Sequence, residues 1–330
     1  MRASEEPAAS ATAERVGDAW PARLHVITGK GGTGKTSVAA ALALALARGG
    51  RRTLLVEVEG RQGIAQLFGT DPLPYEERTI ATVRGGGEVR ALAVDPEEAL
   101  LEYLDMFYKL GAAGRALRKV GAIDFATTIA PGLRDVLLTG KVKEATTRTV
   151  DQRRVYDAVV LDAPPTGRIG RFLNVTAETA RLAKVGPIKT QSEGVAALLR
   201  SPMTAVHVVT LLEEMPVQET IDAIAELGKL GIPVGRLILN ATRPPLLAGK
   251  VTQAELRRGL AAAGLPTDRA TVAGLHAEAR AQAVRRDLEE SLRADLVELG
   301  LPLVRLPLLP EGVDRAGLEV IADSLLAVSS

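Results

Sequence analysis

Two lysines, Lys30 and Lys35, lie within one glycine-rich stretch, LHVITGKGGTGKTSVAA. From Gly29 to Thr36 this stretch satisfies the pattern G-x-x-x-x-G-K-[ST], after an apolar run and before a helix-forming one. Glycines let backbone amides turn towards phosphate oxygens, and the N-terminus of the following helix adds partial positive charge. We therefore expect Lys35 to reach the β- and γ-phosphates of a nucleotide and the Thr36 hydroxyl to ligate Mg²⁺.

This pattern makes ATP and ADP, together with Mg²⁺, the expected ligands. The residues expected to bind the nucleotide at the loop are Gly29, Gly31, Gly32, Thr33, Gly34, Lys35, Thr36 and Ser37. The pattern needs a lysine only at its end, which Lys35 supplies. It gives no role to Lys30, so the earlier lysine needs an explanation of its own.

Short β-branched runs alternate with longer helical stretches along the chain. Most of the runs are almost continuously apolar, which is typical of strands covered on both faces. The predicted strands are residues 24–28, 53–58, 89–94, 155–161, 205–211, 236–240 and 303–306. Helical crossovers between them predict an α/β fold with a doubly wound, mainly parallel sheet, whose ligands bind at the carboxyl ends of the strands.

The chain divides into a leader and one long domain. Residues 1–20 are small, polar and acidic, and we predict a disordered leader there. Residues 21–330 are expected to form a single P-loop ATPase domain. From about 95–150 the alternation is interrupted by a predicted helical insertion, and further helical segments are predicted at about 175–200 and 250–298.

Composition restricts the classes of partner and cofactor. Lysine plus arginine (41) nearly balances aspartate plus glutamate (40), and a net charge of +1 gives no reason to expect nucleic acid as a partner. The absence of cysteine excludes iron–sulfur clusters and cysteine–zinc sites in this chain, and it fits a reducing cytoplasm. No apolar run is long enough for stable membrane insertion.

The form G-K-G-G-x-G-K-T resembles the deviant phosphate loop of the P-loop ATPase family that contains the arsenite-pump ATPase, the tail-anchored-protein-targeting ATPase, MinD and ParA. In that family the additional lysine reaches across a dimer interface to the phosphates in the facing subunit. The resemblance assigns this catalytic role to Lys30 and implies a dimer. A positive charge supplied by the facing subunit makes phosphate chemistry depend on dimer closure.

Residues 156–173, YDAVVLDAPPTGRIGRFL, resemble the second switch of the ArsA/tail-anchored-protein-targeting branch. The resemblance implies that Asp162 holds Mg²⁺, partly through water, and that Pro165 and Gly167 respond to the γ-phosphate. Arg168 departs from the branch, because its better-known members carry histidine there.

Two later stretches of the chain resemble the adenine-binding segments of the same branch. The stretch LILNATRPP contains Asn240, whose amide carries both the donor and the acceptor that an adenine edge requires. The stretch LPLLPEGVDRAGLEVI contains Pro310 and resembles a loop that closes over the base. The resemblance thereby implies base contacts for Asn240 and Pro310.

The first switch departs from the branch pattern. Alignment backwards from Phe68 and Gly69 puts Glu59 where the branch has the aspartate that positions the attacking water. Glutamate keeps the carboxylate but adds a methylene, and a displacement of about 1 Å can cost roughly 10²-fold in rate. Three interpretations stay open: Glu59 orients water, hydrolysis is very slow and the chain is mainly a nucleotide switch, or a related partner supplies the competent switch.

The stretch VEVEGRQGIAQLFG also resembles an actinobacterial group whose members often occur as two related proteins. We therefore expect an ATPase that acts as a dimeric nucleotide switch, either as a homodimer or with a paralogous ATPase. Leu100 and Leu104 would line the groove for a protein client at the helical insertion, although the favoured interpretation is that they pack the core of the insertion. The alternatives are a weakly active or inactive scaffold for a paralogous ATPase and a positioning ATPase of the ParA/MinD type.

Overall fold

The computed structural model describes residues 16–108, 132–174, 187–244 and 251–327. The strands are β1 (Leu24–Gly29), β2 (Arg52–Glu57), β3 (Arg78–Thr82), β4 (Glu88–Ala93), β5 (Thr149–Val150), β6 (Arg153–Arg154), β7 (Ala158–Asp162), β8 (Thr204–Thr210), β9 (Val234–Thr242) and β10 (Leu303–Pro307). The helices are α1 (Lys35–Ala47), α2 (Gly63–Phe68), α3 (Pro96–Tyr108), α4 (Leu133–Thr147), α5 (Thr166–Leu173), α6 (Pro187–Leu199), α7 (Glu214–Lys229), α8 (Gln253–Ala262), α9 (Arg269–Val297) and α10 (Arg315–Ala327).

Eight strands form one sheet in the order β10-β9-β8-β1-β7-β2-β4-β3. All neighbours pair in parallel except β3 with β4, which pair antiparallel. Strand β1 lies between β7 and β8 and is buried along its whole length. The carboxyl ends of β1, β7 and β2 therefore meet at one edge, where such sheets bind ligands. This arrangement confirms the predicted doubly wound, mainly parallel sheet.

Apolar clusters cover both faces of the sheet. On one face α1 and α10 pack with Ile27 of β1, and on the other face α3, α4, α5 and α6 pack with Leu24 and Val26. The two sets of β1 side chains alternate along the strand, as the period of a strand requires. Helix α1 is buried from Val38 to Ala47, so its alanine- and leucine-rich sequence has no polar face. The burial of α1 fixes its N-terminus at the edge where β1 ends.

Every predicted strand coincides with an observed one, but sequence periodicity missed three others. Strand β3 is an exposed edge strand, and β5 and β6 form an exposed two-residue hairpin, so none has an apolar run. The predicted strand at 155–161 begins later than expected, because β7 starts at Ala158. Within the predicted insertion, α3 and α4 are described, and residues 109–131 lie outside the described ranges.

The packed part of the chain begins earlier than predicted. Residues 16–19 are helical, and Val16 and Trp20 are buried in the core, so the end of the expected leader belongs to the domain. Residues 1–15 lie outside the described ranges, as do residues 175–186 and 245–250 of the other predicted segments.

The helices bear on the predicted client groove and on the predicted lack of membrane insertion. Leu100 of α3 is buried in the core, and Leu104 packs partly buried against the same cluster. In the part of the chain that is described, no helix is both long and apolar enough to cross a membrane.

Candidate nucleotide site

The loop between β1 and α1 has the geometry of an anion-binding turn. Gly34 precedes α1 in the left-handed conformation, with φ at 88°, and no side chain caps the helix. The first backbone N–H groups of α1 are therefore available to an anion, and the helix dipole favours negative charge there. Lys35 folds over the loop, and its Nζ donates to the Lys30 carbonyl at 3.3 Å. The Thr33 hydroxyl donates to the same carbonyl at 2.9 Å.

Neighbouring strands hold this loop in shape. A Cβ at Gly29 would collide with the backbone carbonyl of Val209 in β8, and a Cβ at Gly34 would collide with the Asn240 amide. Asn240, in β9, donates from Nδ2 to the Thr33 carbonyl at 2.8 Å. The two glycines are therefore required by close packing as well as by the turn.

Asp162 meets the loop from β7. Its Cα is in register with Ile27 of β1, and its Oδ2 accepts a hydrogen bond from the Thr36 hydroxyl at 2.7 Å. Burial raises the pKa of Asp162 to about 6, while the Thr36 hydrogen bond and the Lys35 charge oppose that rise. A buried carboxylate in this state gains most from a nearby cation.

The donors present fit a magnesium ion of the kind bound with nucleotide. Thr36 and Asp162 supply one hydroxyl and one carboxylate, side by side. Magnesium usually keeps several waters and takes only one or two protein ligands besides the phosphates. Among the described residues no group of three or more histidine, cysteine, aspartate or glutamate side chains could hold a metal by itself. The pair therefore suits a phosphate-bound Mg²⁺ rather than a closed metal site.

Lys35 feels the charges of both acidic residues predicted for the site. Burial lowers the pKa of its ammonium group, and the charges of Asp162 and Glu59 oppose that effect. The structure thus brings Lys35, Thr36 and Asp162 together, with Glu59 within electrostatic range, and the roles of these residues stay predictions. Phosphate oxygens would give this partly buried ammonium group a counter-charge that compensates for its lost hydration.

The second switch, residues 162–173, forms hydrogen bonds with β1 and with α7. The Pro164 carbonyl accepts from the Thr28 hydroxyl at 2.7 Å. Pro165 precedes the first residue of α5, and Gly167 is exposed in its first turn. The Gly167 amide therefore lies at a helix N-terminus, where the helix dipole favours negative charge, and its contact with the γ-phosphate stays a prediction.

Lys30 has an acidic partner that the sequence did not indicate. Its ammonium group forms a short ion pair with Glu219 Oε1 of α7, and Glu219 Oε2 accepts from the Thr166 hydroxyl at 2.9 Å. Both bonds lower the pKa of Glu219, the Lys30 bond more strongly. Because Glu219 is 189 residues from Lys30 in sequence, no local pattern could have revealed the pair.

Glu59 faces arginines from both switches. Arg168 Nη1 donates to Glu59 Oε1 at 3.3 Å, and Arg61 Nε lies 3.8 Å from Glu59 Oε2. A cavity of about 190 Å³ opens beside this carboxylate, and it is also lined by Pro164 and by Arg134 of α4. The two switches and the helical insertion therefore meet around Glu59.

Glu57 is a second acidic residue that sequence analysis did not single out. It is buried at the end of β2, in register with Asp162, and accepts from the backbone N–H groups of Gln62 at 2.5 Å and Ile64 at 3.2 Å. Gln62 has a positive φ of 55°, so Glu57 holds the first switch in an unusual turn. The sequence signal that could have revealed Glu57 is its position as a carboxylate at the end of a largely apolar strand.

The remaining predicted residues lie in the loop, in the first turn of α1 and in the turn after β10. Gly31 and Gly32 are exposed within it, and Ser37 is half-buried in the first turn of α1. Pro310 is exposed in the turn after β10, two strands away from β8. Asn240 directs its amide nitrogen to the loop, so the adenine contacts of Asn240 and Pro310 stay predictions.

The chain is similar in sequence to known ATPases. Residues 22–196 match the family model described as Anion-transporting ATPase. The chain is 54% identical to ATPase BagA of Mycobacterium tuberculosis over 322 residues, which cover 93% of this chain and 94% of that protein. It is 27% identical to the arsenical pump-driving ATPase of Escherichia coli, covering 73% of this chain and 43% of that protein. It is 25% identical to ATPase GET3 of Kluyveromyces lactis, covering 66% of this chain and 71% of that protein. The chain therefore belongs to the ArsA family of anion-transporting ATPases, in the branch found in mycobacteria.

Proposed function

We propose that this chain is a cytoplasmic, Mg²⁺-dependent ATPase that works as a dimeric nucleotide switch. The observation that carries the proposal is the convergence of Lys35, Thr36 and Asp162 at one edge of the sheet, with Lys30 at the start of the same loop. The first three residues form a site for a nucleotide with its metal. The fourth is a cation that the chemistry of a single subunit does not require.

Each residue has a definite part in this proposal. Lys35 neutralises charge on the β- and γ-phosphates, while Thr36 and Asp162 hold the metal between them. When bound, Mg²⁺ supplies charge neutralisation at the transferring phosphoryl group. Lys30 reaches the phosphates held by the facing subunit, so that full stabilisation exists only in the closed dimer.

Glu59 is the residue we assign to orienting the attacking water. Its carboxylate borders the cavity beside the second switch and is close enough to influence both Lys35 and Asp162. The hydrogen bond from Arg168 ties it to the second switch. Hydrolysis would thus depend on both switches taking their positions together.

Nucleotide state would reach the helical insertion through α5. This helix begins at Thr166 and packs its buried Ile169 and Phe172 into the cluster that holds α4. A shift of the first turn of α5 on γ-phosphate contact would change that packing. The insertion, which we propose as the place of a protein client, would then differ between ATP and ADP states.

A second function is supported by the environment of Glu59. Two arginines engage a carboxylate that is one methylene longer than the branch pattern has. If they hold it away from the water, the chain is a nucleotide-binding scaffold for a paralogous ATPase. In that case Glu59→Ala leaves the activity of the pair unchanged, and a related chain co-purifies with this one.

The test is MgATP turnover per subunit across a range of protein concentrations, for wild type and Lys30→Ala. The proposal expects turnover to rise with concentration and to fall by about 10²- to 10³-fold in the variant, as for the loss of one preorganised hydrogen-bond donor to the transition state. Turnover that is independent of concentration and unaffected by Lys30→Ala would contradict it. Tight nucleotide binding without turnover at any concentration would favour the scaffold.

A further inference from the structure

The environment of Lys30 presents a problem for a residue that must act on a facing subunit. Within its own subunit it already has a carboxylate partner, Glu219, on the neighbouring helix α7. A lysine engaged in this way has to leave its partner before it can reach phosphates elsewhere. The contact is therefore part of the free-energy difference between the open and the closed states.

Glu219 also bonds to the second switch. One carboxylate oxygen pairs with Lys30, and the other accepts from the hydroxyl of Thr166, the first residue of α5. The start of the phosphate loop and the start of α5 are thus held by the same side chain.

We propose that Glu219 is a positioning residue that holds Lys30 within its own subunit before ATP binds and releases it when the dimer closes. This inference rests on the proposed function, because it presumes that Lys30 acts on the facing subunit. Contact of the γ-phosphate with the first turn of α5 shifts Thr166 and removes one of the two bonds that orient the Glu219 carboxylate. The remaining ion pair then competes with the phosphates of the facing subunit for Lys30.

The exposure of the pair makes such a release easy. The side chains of Lys30 and Glu219 remain 30% and 33% exposed, so solvent weakens their attraction. One partly exposed ion pair changes an equilibrium by about 1.4- to 5-fold. A triphosphate carries several negative charges against the single charge of Glu219, so it wins this competition in the closed dimer.

The first measurement is self-association by sedimentation in Mg²⁺ and a non-hydrolysable ATP analogue. Glu219→Gln keeps an acceptor for Thr166 but removes the charge that holds Lys30. Two such pairs break in a symmetric dimer, so the concentration for half-maximal association should fall by about 2- to 30-fold. Asp222→Asn, on the same helix with the same change of charge, is the control and should not move this concentration, because Asp222 pairs with Gln218.

The second measurement does not depend on association. In nucleotide-free protein, the rate at which an amine reagent modifies Lys30, followed by mass spectrometry, should rise about 1.4- to 5-fold in Glu219→Gln. The exposed Lys229, at the end of α7, reports on any general change and should react equally in both proteins. A purely structural role for Glu219 would move both lysines or neither.

The outcomes separate this inference from the proposed function. Equal reactivity of Lys30 in wild type and Glu219→Gln would overturn the inference, whatever the dimer does. Unchanged association in Glu219→Gln, with normal association in wild type, would overturn the inference and leave the proposed function intact. If the wild-type protein does not self-associate in the presence of the ATP analogue, the proposed function fails, and the role of Glu219 in dimer closure fails with it. The reactivity of Lys30 still shows in that case whether Lys30 and Glu219 are paired.

Discussion

At the residue scale, the site is a small set of charges that depend on one another. Asp162 is buried and carries a pKa raised to about 6, while Lys35 beside it has a lowered pKa because of burial. Neither group is well solvated, and each makes the charged form of the other less costly. A nucleotide with its metal would complete this arrangement by supplying a phosphate for Lys35 and a cation for Asp162.

Thr36 provides a direct test at this scale. Thr36→Ala removes the hydroxyl that bonds to Asp162 and that we expect to ligate Mg²⁺. Turnover should fall by at least about 10- to 100-fold, and the Mg²⁺ concentration for half-maximal activity should rise. Thr36→Ser keeps the hydroxyl and should therefore keep most of the turnover and a nearly normal Mg²⁺ requirement. Equal activity of the alanine and serine variants would contradict the assignment of the metal ligand.

The sequence predicted the loop residues because their motif is local, but it could not predict their distant partners. The phosphate loop and Asp162 follow from short patterns next to predicted strands, and the structure brings them together. Glu219 pairs with Lys30 only because α7 packs beside the second switch. Glu57 acts through backbone N–H groups of the following loop, a contact that residue types alone do not encode.

At the scale of elements, the site depends on close packing around β1. The strand is buried along its length between β7 and β8, and the buried helix α1 follows it directly. Strand β1 was predictable from its apolar run, and the other central strands were predictable from theirs. The exposed β3 and the β5–β6 hairpin were not predictable, because pairing and position, rather than apolar pattern, make them strands.

The glycines of the loop test this packing. A methyl group at Gly29 would strike the Val209 carbonyl, whereas one at Gly31 would meet open space. Gly29→Ala should lower the free energy of unfolding by about 1–3 kcal/mol or more, as expected for overpacking. Gly31→Ala should change it by no more than about 0.5 kcal/mol. Urea unfolding of the nucleotide-free proteins measures both, and equal effects would show that β8 does not constrain the loop.

At the scale of the whole molecule, the N-terminal segment is joined to the centre of the sheet. Trp20 packs edge-on against His25 of β1 and His207 of β8, and Arg236 of β9 lies over its ring at 4.8 Å. Arg236 also donates to the Ala19 carbonyl at 2.8 Å. This segment was predicted as part of the leader because its composition is small and polar. The burial of Val16 and the contacts of Trp20 show that the end of this segment belongs to the domain.

The two histidines in this cluster are neutral in the folded state. His207 Nδ1 accepts from the Arg236 backbone N–H at 3.1 Å, so its proton lies on Nε2 and is donated to His25 Nδ1 at 3.1 Å. Burial is the main cause that lowers the pKa of His25 to about 3 and that of His207 well below its usual value. In the unfolded chain both would take up protons near pH 6.5.

Acid should therefore destabilise the protein through these residues. The unfolded state binds more protons than the folded state below about pH 6.5, so stability is fully present above that pH and falls as the pH is lowered towards 3. The expected slope is up to about 1.4 kcal/mol per pH unit for each histidine. Urea unfolding between pH 7.5 and 5 measures the slope. The imidazole NMR signals of His25 and His207 should not titrate in this range, and midpoints near 6.5 for either would contradict the neutral pair.

The central claim is that Lys30 completes the site of the facing subunit, and a mixing experiment tests it most directly. Lys30→Ala and Asp162→Asn should each be inactive alone, for different reasons. A mixed dimer of the two contains one complete site, made from the Asp162 of one subunit and the Lys30 of the other. With free exchange, an equal mixture should recover about a quarter of wild-type turnover, because half of the dimers carry one such site. Turnover no greater than the mean of the two separate variants would contradict action of Lys30 across the interface.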